Sequence, residues 1–395
     1  MVKRRTMIIT ASLSAAAMFG ALLAAPTLVD RQINQVYPAT PPAPSKQALA
    51  LHQSLWIADL HADSLLWQRQ LQQRGAGHVD LPRLAEGNVA LQAFSVVTKT
   101  PRKMNIEHND DDSDNITALV MAQGLPPRTW NSLLARASYQ AQQLHQLAGA
   151  SDGALRVIGS RAQLRQLIAD RDKATGSQAK PIGGWLTLEG AHALEGKLDN
   201  IEVLYRAGYR MAAPTHFFDT ELSGSQHGMK KGGLTPLGKR WLRAMEQRKM
   251  IVDLAHASPA TIDEVLSLAT RPVIVSHTGV RGTCANGRNL SDSQLKRIAA
   301  QGGLVGIGFW QTAVCGKDVK AIARAIKYTV SVIGAEHVAY GSDFDGAVTT
   351  AIDAAGLPRL TQALLDTGLT ADQIRRIAGG NVRDFLLKNL PDDDA

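Results

Sequence analysis

The sequence predicts an α/β protein, a closed TIM-like (β/α)8 barrel behind an N-terminal signal or anchor segment. Short apolar runs recur at 56–60, 89–97, 184–188, 209–213, 250–254, 273–276, 304–308 and 338–341. Such predominantly apolar runs are what a sheet covered on both faces requires. Segments of helical periodicity alternate with them, at 133–147, 161–169, 201–206, 236–248, 259–269, 292–300 and 319–333. That alternation is the mark of a parallel sheet. About eight repeats without a long linker fit a closed barrel better than an open sheet.

Local signals support individual elements. Thr235-Pro236 and Ser258-Pro259 each set a capping hydroxyl before a proline at the first helical position. Ser291-Asp292-Ser293-Gln294 fits a capping box. The acidic stretch 105–115 interrupts the pattern after the second strand. Its spacing does not match a calcium loop, so a solvated or substrate-covering loop is expected across 100–130. Asp392-Asp393-Asp394 reads as a solvated terminus.

The N-terminus carries its own message. Lys3-Arg4-Arg5 precedes an uncharged apolar run from Met7 to about Val29. A positive flank, apolar core and small residues form an export signal. The run is also long enough to cross a bilayer, with its basic flank on the cytoplasmic side. Ala21-Leu22-Leu23-Ala24-Ala25 offers small residues for cleavage, whereas Pro26 disfavours it, so cleaved signal and membrane anchor both stay open. Either way the body is expected outside the cytoplasm, periplasmic or membrane-anchored. Residues 1–30 form the signal or anchor, 31–45 a Pro-rich linker and 46–390 the barrel, with everything up to about residue 45 outside the fold.

Composition narrows the class. The 395 residues are 45% hydrophobic and 20% charged, which excludes a disordered or fibrous chain. The net charge of +8 is diffuse. No Lys/Arg stripe interleaved with aromatics accompanies it, so nucleic acid is not an expected partner. Cys284 and Cys315, the two cysteines, are either a disulfide, as an oxidising compartment favours, or two buried thiols.

The candidate site begins at Asp59-Leu60-His61-Ala62-Asp63. Strand side chains alternate faces, so His61 and Asp63 point to the same side and can share a metal ion. Imidazole with carboxylate suits zinc. Asp59, His61, Glu189, His216, His256, His277 and Asp343 all fall at or just past the carboxyl ends of expected strands, the rim on which such barrels build active sites. Glu189 ends an apolar strand, where a buried carboxylate is costly unless paired or metal-bound. Gly190 leaves room beside it, so Glu189 is the candidate bridge between two ions. His256 and His277 end consecutive strands and can grip a second ion. Asp343, or Asp345 two residues on, can accept a proton from attacking water. His216 can hydrogen-bond the oxyanion formed when a carbonyl is attacked.

Together these residues resemble the membrane dipeptidase (renal dipeptidase) family of zinc peptidases, among the amidohydrolase-like barrels. The resemblance covers roughly 55–387. It rests on the His61 motif, on Leu188-Glu189-Gly190-Ala191-His192 and on Gly233-Leu234-Thr235-Pro236-Leu237-Gly238. Val252-Asp253-Leu254-Ala255-His256, Ser276-His277, Gly287-Arg288-Asn289 and Gly341-Ser342-Asp343-Phe344-Asp345-Gly346 extend it. The resemblance implies two zinc ions per chain. His61 and Asp63 would bind the first, His256 and His277 the second, and Glu189 would bridge them. It further implies a substrate contact at His216, a carboxylate-binding arginine at Arg288, an acid/base at Asp343 and a less defined substrate role for His192. It strengthens the Cys284–Cys315 disulfide. Ala62, Leu60 and Ala255 depart from the family's usual residues without touching an expected ligand, and 98–130 and 217–231 do not align.

The function implied is hydrolysis of a dipeptide amide, with a D-residue accepted at the C-terminal position. A related barrel hydrolase acting on another amide or a lactone, and a non-catalytic binding module, are the alternatives. Homodimers are common among barrels it resembles, though no residue here shows one.

Overall fold

Eight parallel strands form the ring: β1 (Ile57–Ala62), β2 (Val89–Val97), β3 (Ile182–Glu189), β4 (Met211–Ala212), β5 (Ile251–Val252), β6 (Ile274–Thr278), β7 (Leu304–Ile307) and β8 (Val338–Tyr340). This computed structural model describes residues 25–38, 43–174 and 179–392. The strand order is β5-β4-β3-β2-β1-β8-β7-β6. A single bridge, Asp253 to Ile274, closes it, with Leu254 N–H donating to the Ile274 carbonyl at 2.8 Å. All eight expected strands are present. A short strand at Leu155–Val157 adds to β3 outside the ring.

One buried cluster takes residues from all eight strands, including Leu60, Leu91, Trp185, Met211, Ile251, Ile274, Leu304 and Ala339. Side chains from every strand can meet only inside the barrel, so this cluster is its filling. Val382, Phe385 and Leu386 of the C-terminal helix Asn381–Asn389 join it. Gly379, just before that helix, lies against the backbone of Trp56 and Ala58 at the start of β1. One mouth is thereby stoppered, and the polar residues gather at the other.

The seven expected helices are found, three of them longer than expected: Leu133–Gly149, Arg161–Lys173 and Asn200–Arg206. The Thr235 and Ser258 caps and the Ser291–Gln294 capping box form as the sequence signals. The sequence reading assigns no helix after 333, yet Leu357–Asp366, Ala371–Arg375 and Asn381–Asn389 follow. The capping box Thr370-Ala371-Asp372-Gln373 was the available signal.

Two expectations need correction. Residues 25–38 are not outside the fold: 25–33 are helical, and Gln35–Val36 pairs in parallel with Thr349–Thr350. Buried Asp30 receives Arg69 Nε at 2.7 Å and Nη2 at 2.6 Å. These partners lie far away in sequence, which local composition cannot register. Lys3-Arg4-Arg5 and most of the apolar run fall outside the described residues, as do 39–42. Among those described, no helix is long and apolar enough to cross a membrane. The stretch 100–130 is not merely a loop. It carries helix Asn115–Ala122, capped by Asp114, with Ile116, Val120 and Leu125 buried against Val97. Buried Arg136 fastens it through Asp114 at 2.6 Å and the Thr98 carbonyl at 2.7 Å. Asp392 is exposed, as expected of a solvated terminus, and pairs at the surface with Arg161 and Lys249. Residues 393–395 lie outside the described part.

Cys284 and Cys315 form a disulfide across 31 residues, joining the connections after β6 and β7. Asn289 donates to the carbonyls of Cys284 (2.7 Å) and Ala313 (3.0 Å), so the bridge also braces the loop carrying Arg288. Replacing both cysteines by serine is expected to cost about 3–4 kcal/mol in the chain-entropy account. The check is a denaturant titration with steady-state kinetics, in which KM should rise more than kcat falls.

Candidate metal centre

His61 reaches the site through an irregularity. Leu60 belongs to the barrel filling, yet His61 also faces the barrel mouth. Consecutive residues share a face only where the pleat breaks, and the β1–β2 ladder shifts register between Asp59 and Ala62. Asp63 lies just past β1 in a turn conformation. His61 Nε2 and Asp63 Oδ1 come within 3.5 Å. The expected pair therefore meets, by a bulge and a turn rather than by plain alternation. Asp59 is used otherwise: it accepts from Ser342 N–H (2.8 Å), Ser342 Oγ (2.6 Å) and Gln92 (2.9 Å), tying the end of β8 to β1.

Glu189, the last residue of β3, is the hub. Its carboxylate lies 3.6 Å from His61 Nε2, 3.5 Å from His216 Nε2, 3.0 Å from His256 Nε2 and 3.3 Å from His277 Nε2. Gly190 follows with φ 95°, and a Cβ there would collide with the His192 ring. His256 and Asp343 both hold left-handed backbone, φ 63° and 61°. That region is uncommon for residues with a Cβ and collects at functional sites.

The electrostatics describe a cluster short of positive charge. Burial first, then the Asp63 and Asp253 charges, push Glu189 up to about 7 against the pull of His61. Burial with Asp63 and Glu189 raises Asp343 well above the carboxylate range. For His61 burial opposes the charged form, but Glu189 and Asp63 outweigh it and hold the imidazole well above its ordinary value. Burial holds His216, His256 and His277 well below theirs, so their lone pairs are free to bind.

These residues fit a divalent cation. His61 Nε2 and Asp63 Oδ1 are buried without a hydrogen-bond partner. Three overlapping triads, His61-Asp63-Asp343, His61-Glu189-His277 and Glu189-His216-His256, each bring their ligand atoms within 4.8 Å of one another. Imidazole and carboxylate together are a donor set for zinc or a similar ion. His216 groups with potential ligands here, beyond the substrate contact expected of it.

The supports around the cluster escaped the sequence reading. Ser276 Oγ lies 2.9 Å from His277 Nδ1, and Asp253 accepts from the Ser276 and Ala255 N–H groups, both at 2.9 Å. Such partners orient ligand imidazoles. His227 was also missed. Its Nδ1–H donates to the Ile106 carbonyl at 2.8 Å, and its ring stacks on Phe217 in the cavity wall. Arg288 is buried, its Nη2 donating to the His277 carbonyl at 2.8 Å. His192 stands apart, against Phe218 (ring centroids 5.0 Å), with neither nitrogen hydrogen-bonded.

The choice between Asp343 and Asp345 is decided by partners. Asp345 takes Ser64 Oγ (2.6 Å), His78 N–H (2.7 Å) and Arg69 (2.9 Å). Burial alone would raise its pKa, but Arg69, His78 and Ser64 hold it far below the ordinary range. Asp343, 3.9 Å from His61, is the one facing the cluster. Asp345→Asn should cost about 3 kcal/mol by breaking a buried ion pair, with little change in turnover per folded molecule. The pH dependence has a definite sign. A depressed carboxyl contributes stability above the unfolded value of about 4 and loses it as pH falls through the folded one. Acid melts of wild type and variant should therefore converge.

A cavity of about 590 Å³ opens over the cluster, lined by Asp63, Glu189, His216, His256, His277, Arg288 and Asp343. Fold and site define a barrel metallohydrolase. The model of the membrane dipeptidase family (peptidase family M19) matches residues 45–386, and the chain belongs to that family of metallo-dipeptidases. It is 27% identical over 348 residues to dipeptidase aclJ of Aspergillus oryzae, covering 82% of this chain and 76% of that protein. Two solved structures share the fold. The probable dipeptidase PvdM of Pseudomonas aeruginosa has TM-score 0.72 and 17% identity, covering 87% of this chain and 98% of that one. A Rhodobacter sphaeroides metallopeptidase liganded with a phosphinate mimic of L-Ala-D-Ala has TM-score 0.67 and 24% identity, covering 85% and 99%.

Proposed function

We propose that this protein is an exported dinuclear zinc dipeptidase that accepts a D-residue at the C-terminal position. The observation carrying this reading is the Glu189 carboxylate within 3.0–3.6 Å of four imidazole Nε2 atoms, each from the carboxyl end of a different strand or just past it. His61, Asp63 and Glu189 would hold one ion, and Glu189, His256 and His277 the other. When bound, such ions lower the pKa of water and polarise a carbonyl.

The chain's own residues do the rest. Arg288 receives the free carboxylate on its planar fork and so sets which amide lies over Glu189. His216 donates to the carbonyl oxygen as charge develops on it. Asp343 takes the proton of the attacking water and delivers it to the leaving nitrogen. It faces the cluster 3.9 Å from His61, where a carboxyl can serve both duties. Acceptance of a D-residue draws on the ligand of the Rhodobacter relative, and export draws on the Lys3-Arg4-Arg5 flank and its apolar run.

The test is metal content of purified protein beside hydrolysis of a small L,L and L,D dipeptide panel. About two zinc per chain with turnover of both series is expected. Protein that binds metal yet leaves every dipeptide intact would shift the reading to another amide or a lactone.

A further inference from the structure

The family match starts at residue 45, yet the cavity over the cluster is also lined by Pro26, Val29 and Ile33. Those residues belong to the helical stretch 25–33, and the segment is firmly held. Arg69 joins Asp30 to Asp345, two residues from Asp343. The Gln35 carbonyl lies 2.8 Å from His78 Nε2, the Asn34 side chain accepts from Ala347 N–H at 2.9 Å, and Tyr37 N–H donates to the Thr350 carbonyl at 2.9 Å. Val29 is nevertheless 45% exposed, although it is a large apolar residue.

The ring order says which part of a substrate meets this wall. With β5 and β6 closing on each other, β6 stands across from β2 and β5 across from β1. Arg288 and His256 follow β6 and β5. Leu66 follows β1, Ile116 and Leu119 lie in the connection after β2, and Val29 and Ile33 are strapped to the connection after β8. A dipeptide whose carboxylate sits on Arg288, with its amide over Glu189, must direct its N-terminal residue toward the β1–β2–β8 side. The charged groups of the cavity wall are Asp63, Glu189, Arg288 and Asp343, all committed to the reaction. A charged side chain on the substrate would find no counter-charge among the apolar residues.

We propose that residues 25–38 are part of the substrate site, and that the apolar wall they complete selects a bulky apolar side chain on the dipeptide's N-terminal residue. This rests on the dipeptidase reading above. Burying a Leu- or Phe-sized side chain there is expected to raise kcat/KM by roughly 10- to 100-fold over glycine or alanine.

The test compares Leu-Ala and Phe-Ala with Ala-Ala, Ala-Leu, Lys-Ala and Glu-Ala, using the full chain and its Val29→Asp and Val29→Asp/Ile33→Asp variants. Leu49→Asp, on an exposed apolar residue of the helix Lys46–Gln53, is the control. Wild type should favour Leu-Ala and Phe-Ala, and both Val29 variants should lose at least about tenfold on those two while changing Ala-Ala less than about threefold. The control should change neither. Equal rates across the panel, or variants that slow all substrates alike, overturn the proposal while leaving the dipeptidase standing. The wild-type comparison does so even where the double variant does not fold. Protein that hydrolyses no dipeptide overturns both together.

Discussion

Glu189→Gln is expected to lower kcat/KM by about a thousandfold or more, since several kcal/mol of charge stabilisation depend on the ions it would bridge. Bound metal should fall with it, read by elemental analysis. Stability should move the other way. Glu189 is a buried carboxyl raised to about 7 by burial and by Asp63 and Asp253. Burial outweighs the compensation that His61 gives this carboxyl, so removing its charge is expected to be neutral or stabilising in metal-free protein. A raised carboxyl contributes stability below its ordinary 4.5 and loses it as pH rises through about 7. Metal-free wild type should thus lose stability between pH 5 and 8 relative to the Gln variant. A variant that keeps both its metal and its turnover would remove Glu189 from the centre of the mechanism.

Arg288→Ala is expected to cost about 100- to 1,000-fold in kcat/KM for dipeptides, mostly in KM, because a buried charge-assisted fork is lost. Arg288→Lys should recover only part, since an ammonium cannot hold both carboxylate oxygens. The discriminating substrate is a dipeptide amide, whose C-terminus carries no charge. Wild type should handle it poorly, and the Ala variant should handle it no worse than wild type does. Unchanged dipeptide kinetics in Arg288→Ala would favour a substrate without a free carboxylate. Some loss of stability is expected too, because Arg288 faces Asp343, Glu189 and Asp253.

Much of this architecture is written locally. An apolar strand ending in His or Glu announces both its burial and its rim position, and the recurrence of that pattern along the chain, rather than any one residue, is what marks Glu189, His256 and His277. Thr235, Ser258 and Ser291 mark helix starts because a cap acts within three residues. Partners distant in sequence leave no such mark. Asp253 and Ser276 look like ordinary strand residues until β5 and β6 close the ring and their hydrogen bonds form. His227 sits in a stretch without periodicity, and only its contact with the Ile106 carbonyl and Phe217 fixes its ring.

By itself, then, the sequence determined the barrel, the rim on which the chemistry sits and the residue types gathered there, because alternation, capping and burial are short-range properties. Tertiary structure alone decided which residues share an ion-sized space, which partners hold Asp345 away from it, and that Ala25, Pro26, Val29 and Ile33 wall the cavity. Each of those depends on pairs such as Arg69–Asp345, Asp30–Arg69 and Gln35–Thr349. Their members lie tens to hundreds of residues apart, and only chain closure brings them within a few ångströms.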